Sequence, residues 1–246
     1  MPKTISQELA EKTLKELGLK MVSGKLVKDP AHQVRQPQQL SRTWSDPEGY
    51  KYLVQWSNLV LLRFLIRKLT DSLPKREYRR KAQLDDAGRS TVRNIEEGYK
   101  RATTSEYVQF LSYTQGSLEE VKGDSRELTE DGFLPSKPSS SLAGIGIVLG
   151  DFHKTLLSSS HPLTSSKPPL KEAKGPDFTY RPLTVLYPPL AQVRPENLTY
   201  EIFMELINKT DWLLRKLVES LELKLTQGQK FYQVERARIR GNLKDK

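Results

Sequence analysis

The sequence predicts an all-α protein: an up-down-up-down four-helix bundle with an amino-terminal extension and a long proline-rich insert between helices three and four. Three observations carry this expectation. Apolar residues recur at three- and four-residue spacing in four long segments, the period of one helical face. Pro74 and the Asp131-Gly132 pair punctuate those segments where helices end. Ten of the fifteen prolines lie between residues 134 and 198, so that stretch cannot be one long helix. The chain therefore divides into an extension with a short helix (1–46), helices one to three (47–133), the proline-rich insert or linker (134–198), helix four (199–227) and a basic tail (228–246).

In the extension, Ile5, Leu9, Leu14 and Leu17 form a narrow apolar stripe that Gly18 ends, predicting a short helix. The apolar runs Leu19 to Val22 and Leu26 to Val27 flank Ser23-Gly24, a pattern that suits a hairpin turn. Helix one is expected to be capped by Ser45 or Asp46, to take Pro47 into its first turn and to run to about Leu73. Its apolar residues, Trp56, Leu59, Leu61, Leu62, Phe64, Leu65, Ile66 and Leu69 among them, project around nearly the whole circumference. Such a helix must be buried on more than one side, by an extension or by a neighbouring subunit. Self-association follows as an expectation.

Helix two is expected from about Lys75 to Gly98, with Leu84, Ala87, Gly88, Thr91, Ile95 and Gly98 on its packed face. Most of these are small, which lets another backbone come close. Helix three opens with Thr103 three residues before Glu106, a capping-box spacing, and continues through Tyr107, Leu111, Leu118, Val121 and Leu128 to Asp131-Gly132. The insert is expected to be a loosely ordered linker with one short helix near Leu142 to Leu157. Helix four can be capped by Thr199, and its apolar face runs from Phe203 to Leu225.

The composition places limits on function. Lysine and arginine outnumber the acids by 40 to 30, giving a formal charge of +10 that favours polyanionic partners. There is no cysteine, so disulfides and thiolate zinc sites are excluded, and a reducing, cytoplasmic location is expected. The amino terminus has no apolar signal core and no stretch approaches the roughly 20 apolar residues that span a bilayer, so no membrane partner is expected. Catalytic machinery is not visible: no P-loop, no zincin motif and no Ser-His-Asp order occurs. His32, His153 and His161 have no second ligand at metal-binding spacing, and glycines 144, 146 and 150 lack the dinucleotide-binding pattern, so neither metal nor cofactor is expected.

Helices one to three also carry Pro74 and Glu77, then Gln83, Ala87, Ser90, Asn94-Ile95, Glu97-Gly98 and Arg101, and later Gly116-Ser117 with Glu120. In order and spacing these residues resemble the four-helix-bundle family of ribosomal-RNA intervening sequences, which includes the accessory variability determinant of diversity-generating retroelements. The resemblance covers roughly residues 50–133, with 199–227 fitting as the fourth helix. It implies a bundle that binds nucleic acid or a reverse transcriptase without catalysing a reaction, and a homopentameric barrel. Two departures stand out: Asp85-Asp86 occupy positions where the family usually has arginines, and Glu96 replaces a usual alanine.

Candidate binding residues are the clustered cations, because phosphate contacts need positive charge and no base-reading motif is present. Lys75, Arg76, Arg79, Arg80 and Lys81 gather at the start of helix two with only Glu77 among them. Arg89 and Arg93 continue along it, stepping by four with Asp85 and Glu97 in what is expected to be a salt-bridged stripe. Lys100 and Arg101 follow, and Lys230, Arg236, Arg238 and Arg240 make the tail basic, with Phe231 and Tyr232 beside them as candidate stacking rings. RNA or DNA, held by non-specific phosphate contacts, is the expected partner. A protein-protein adaptor without nucleic-acid binding is the alternative. Asn94 and Glu97 are expected to hydrogen-bond the turn into helix three, and Trp56 and Trp212 to pack in a core or interface.

Overall fold

The computed structural model describes residues 19–22, 25–28, 48–160 and 182–242, with side chains over 48–159 and 182–228. The short helix expected near Ile5 to Leu17, the caps at Ser45 and Asp46, and Pro47 lie outside the described residues. The chain forms two compact units, Met1–Ser41 and Arg42–Lys246. In the first, β1 (Leu19–Val22) and β2 (Lys25–Lys28) pair antiparallel, with Leu19 opposite Lys28 and Val22 opposite Lys25. The hairpin falls where the two apolar runs flank Ser23-Gly24.

The described part of the second unit is helical. Its long helices are α1 (Val54–Ser72), α2 (Tyr78–Tyr99), α3 (Thr104–Glu130) and α6 (Tyr200–Asn242), and α4 (Leu149–Ser160) and α5 (Leu183–Leu186) lie in the insert. Helix α1 packs on α2, α2 on α3, α3 on α6 and α6 back on α1. Short connections make α1, α2 and α3 alternate in direction. Two contacts fix the sense of α6: the Tyr200 N–H donates to the Pro135 carbonyl (3.0 Å) just past the end of α3, and Gln115 near the middle of α3 reaches Asp211 (3.4 Å). Helix α6 therefore runs antiparallel to α3.

Helix α1 starts later than its sequence suggests. Gly49–Tyr52 form a 3-10 turn, and Leu53 is extended (φ −79°, ψ 124°) before Val54 begins the α-helix. The break folds Tyr50 inward, where its ring meets Trp56 and Tyr99 edge-on at 5.5 and 6.1 Å. Gly49 leaves room for the end of the Tyr99 side chain, which a Cβ there would displace. Helix α2 likewise opens with a 3-10 turn, Lys75–Glu77, since Pro74 holds the chain extended.

Helix α3 begins and ends as its sequence dictates. Thr103 and Glu106 form a reciprocal capping box. At the other end Gly132 takes φ +78°, and the Phe133 N–H turns back to the Leu128 carbonyl at 2.8 Å, closing a Schellman motif.

The small residues of α2 do admit a close neighbour. Ala87, Gly88, Thr91 and Gly98 are buried, and a Cβ on Gly88 would lie 2.6 Å from the Cδ1 of Ile66 on α1. Gly88→Leu is expected to lower stability by about 1 to 3 kcal/mol, the usual cost of overpacking. Chemical denaturation measures this, and an unchanged midpoint would mean that α1 and α2 separate there freely. Gly98 acts in the same way: it stays helical, with a would-be Cβ 2.5 Å from that of Phe110.

The insert departs most from expectation, because its described parts are core. Leu142, Ile147, Phe152, Leu156, Tyr187, Leu190 and Val193 are all buried. Phe152 meets the Tyr187 ring edge-on at 5.4 Å, and the Tyr187 hydroxyl accepts the Val148 N–H at 3.1 Å. Helix α4 packs against α1, with the His153 Nδ1 3.0 Å from the Ser57 Oγ. This is the cover that the all-round apolar α1 required, and it comes from the same chain.

Glu201 ties the insert to the first turn of α6. Its carboxylate accepts the Ser136 hydroxyl and the Lys137 N–H (2.8 Å). Partial burial alone would raise its pKa, but these bonds outweigh it and hold the group at about 2. Ordinary unfolded Glu titrates near 4.5, so the contribution is fully present above that pH and is lost as pH falls toward 2. Glu201→Gln should therefore lower the melting temperature at pH 7 more than at pH 2.5. Equal losses at both pH values would remove the carboxylate from the account.

Helix α6 does not stop at Gly228 but continues to Asn242. One glycine costs a helix only about 1 kcal/mol, and the residues that follow it include good helix formers. Forty-three residues span about 65 Å, against about 40 Å for the 27 of α3. Leu221 is the last buried residue of α6 among those whose side chains are described.

Candidate nucleic-acid interface

Charge on α2 sorts by what each side chain meets. The expected pairing of Asp85 with Arg89 does not occur. Asp85 instead turns toward α1, where it accepts the Thr70 hydroxyl at 2.9 Å and lies 3.8 Å from Arg67. Glu97 is exposed and makes no ion pair with Arg93 among the described residues. The expected neutral stripe is thereby replaced by a positive one.

The outward positions of α2 and the turns at its two ends, stepping by three or four, are Lys75, Arg79, Ala82, Asp86, Arg89, Arg93, Glu97 and Lys100, all exposed. Five cations stand there against Asp86 and Glu97. From Lys75 to Lys100 the row is about 37 Å long at the helical rise. Its geometry is that of a rod edge and not of a pocket, suited to a backbone of regularly spaced anions.

The other candidates divide. Arg80 is engaged by Asp131 and lies 3.7 Å from Glu77, and the Asp131 carboxylate holds its guanidinium pKa above the ordinary value. It clamps the start of α2 to the end of α3. Arg76 is exposed and 3.6 Å from Glu77. Lys81 is half-buried on the flank of the row. Arg79 lies over the Tyr78 ring (5.8 Å), Lys100 over Tyr50 (5.6 Å) and Arg101 over Phe110 (4.4 Å), contacts that fix the cations without neutralising them.

Lys230, Arg236, Arg238 and Arg240 fall on the last turns of α6, beyond Leu221, and not on a segment separate from helix four. Their side chains, with those of Phe231 and Tyr232, lie outside the described side chains.

Residues 51–144 match the family model of the 23S rRNA-intervening sequence protein. Over that span the chain is similar to this family. The matched span takes in α1, α2 and α3, so the insert helices and α6 lie outside it. No curated protein and no solved structure matches the chain.

Within the family segment, the two departures have structural uses that composition does not display. Asp85 links α2 to α1, and Glu96 accepts the Trp56 indole N–H at 2.9 Å, satisfying a buried donor. Asn94 and Glu97 make no side-chain hydrogen bond to the turn into α3; the turn is closed by the Lys100 and Arg101 N–H groups on the carbonyls of Glu97 and Gly98, both at 3.1 Å. Trp56 is buried as expected, whereas Trp212 is 59% exposed. Among the described residues no cluster of three potential ligands could hold a metal, and no helix is long and apolar enough to cross a membrane.

Proposed function

We propose that this protein, similar over residues 51–144 to the 23S rRNA-intervening sequence protein family, is a non-catalytic helical scaffold that holds RNA or DNA through phosphate contacts along α2. The observation that carries the reading is the exposed row Lys75, Arg79, Arg89, Arg93 and Lys100, left positive because Asp85 is turned to α1. Phosphate contacts provide affinity without sequence selection. The basic end of α6 adds charge of the same sign.

A pentameric ring, which the family resemblance implies, would repeat the row by symmetry and raise affinity through effective concentration. It is not needed to bury α1, since α4 covers that helix. The test is the affinity of the full chain for single- and double-stranded RNA and DNA at several salt concentrations. The five phosphate contacts along α2 alone contribute about −3.5 to −4.5 to the slope of log K against log salt, to which the end of α6 adds, with little dependence on sequence. Absent or salt-insensitive binding would overturn the reading in favour of a protein-protein adaptor.

A further inference from the structure

The charged edge of α2 has an uncharged neighbour. Between Glu106 and Glu119, α3 carries no charged residue, a stretch about 18 Å long at the helical rise. Two contacts set its register against α2: a Cβ on Gly98 would lie 2.5 Å from that of Phe110, and the Gln83 amide reaches the Asp124 carboxylate at 3.1 Å. Tyr113, one turn beyond Phe110, is therefore level with the α2 residues between Arg93 and Glu97.

Tyr113 is 49% exposed, yet firmly held. Its ring packs edge-on to Phe110 at 5.6 Å, and its hydroxyl accepts the Gln109 amide at 2.7 Å. Three residues on, Gly116 is exposed, and a Cβ on it would meet nothing within 4 Å. A mid-helix glycine weakens a helix, and no contact among the described residues requires this one; it leaves the surface over Tyr113 low. In the groove toward α2 lie Ser90 and Asn94, uncharged and half-buried, on the helical face of Gln83. Of the acids at this level of α2, Glu96 is bound to Trp56, and Glu97 stands exposed against Arg93, Lys100 and Arg101.

We propose that the groove between α2 and α3 is a single-strand site, in which phosphates follow the cations of α2 and one unpaired base stacks on Tyr113. A cationic edge beside an exposed ring suits a single strand, whose bases can turn out onto an aromatic face; the bases of a duplex keep their faces inside the stack. The inference rests on the phosphate reading above and adds strandedness to it.

The experiment is fluorescence anisotropy of labelled oligothymidine, and of a DNA duplex of equal length, titrated with the full chain at several salt concentrations. Tyr113→Ala is expected to weaken oligothymidine binding by about tenfold, the effect of one stacked base, with its salt slope unchanged and duplex binding unaffected. Tyr113→Phe keeps the ring and should bind as wild type does. Gly116→Leu places a side chain over the turn that carries Tyr113, so it should hold or raise the melting temperature while weakening oligothymidine binding in the same way. Circular dichroism melts verify folding, and if Tyr113→Ala melts early, Gly116→Leu decides. The proposal is overturned, with the phosphate reading intact, if the folded variants bind oligothymidine as wild type does or lose affinity for both probes equally. If wild type binds neither probe in a salt-dependent way, both readings fall together.

Discussion

Phe152→Ala is expected to cost about 3 to 5 kcal/mol of unfolding free energy, the usual range for deleting a buried aromatic side chain. Phe152 is fully buried, although it lies in the segment with the most prolines. Its ring sits edge-on to Tyr187, and that hydroxyl in turn holds the Val148 N–H at the start of α4. Shortening the side chain leaves a void beneath α4 and loosens Tyr187, so the cover over α1 weakens along with the contact itself. Urea denaturation of wild type and variant gives the difference. A loss below about 1 kcal/mol would mean that α4 is an appendage and that α1 finds its cover elsewhere. A large loss accompanied by self-association, detected by light scattering, would show that exposed α1 seeks a second copy once its own cover fails.

The contrast between the insert and helices one to three explains what the sequence reveals about the fold. Thr103 and Glu106, Asp131-Gly132, and the small residues of α2 act through local spacing, so the elements they bound are evident from residue order alone. Phe152, Tyr187, Leu190 and Val193 have no shared period; they meet only because the chain returns between α3 and α6. Prolines between them forbid a long helix but not burial, since 3-10 turns and short helices satisfy their own backbone and still present apolar side chains. The late start of α1 has a similar cause. Pro47 signals a helical turn, but the aromatic cluster of Tyr50, Trp56 and Tyr99 is a tertiary contact that draws the chain into a 3-10 turn first.

The basic row was partly evident for the same reason. Composition and spacing locate every cation, yet the net charge of a surface depends on which acids face it. Asp85 and Asp86 are neighbours in sequence and diverge in use: one is bound to Thr70 on α1, the other stays outward. Arg80 stands among the expected phosphate contacts and proves to be a clamp, because Asp131 arrives from the end of α3, far along the chain.

Replacing Lys75, Arg79, Arg89, Arg93 and Lys100 together by glutamine should weaken nucleic-acid binding by at least about a hundredfold at low salt, while leaving the fold intact. Each phosphate contact removed lowers the magnitude of the slope of log K against log salt by roughly 0.7 to 0.9, so five should remove about 3.5 to 4.5. All five side chains are exposed, and Gln keeps the helix-forming aliphatic stem, so the cost in stability is small. Arg80→Gln is the matched control. Arg80 bonds Asp131 and Glu77 at the surface, so its loss should lower stability only slightly and change the slope little. Deleting residues 229–246 should lower the slope independently, by the share of Lys230, Arg236, Arg238 and Arg240, because Leu221 ends the described packing of α6 well before that point. If the five-residue variant keeps the wild-type slope while the deletion abolishes it, the phosphate contacts belong to the end of α6 and not to α2. If Arg80→Gln alone flattens the slope, the clamp is the contact, and the division of charge along α2 must be redrawn.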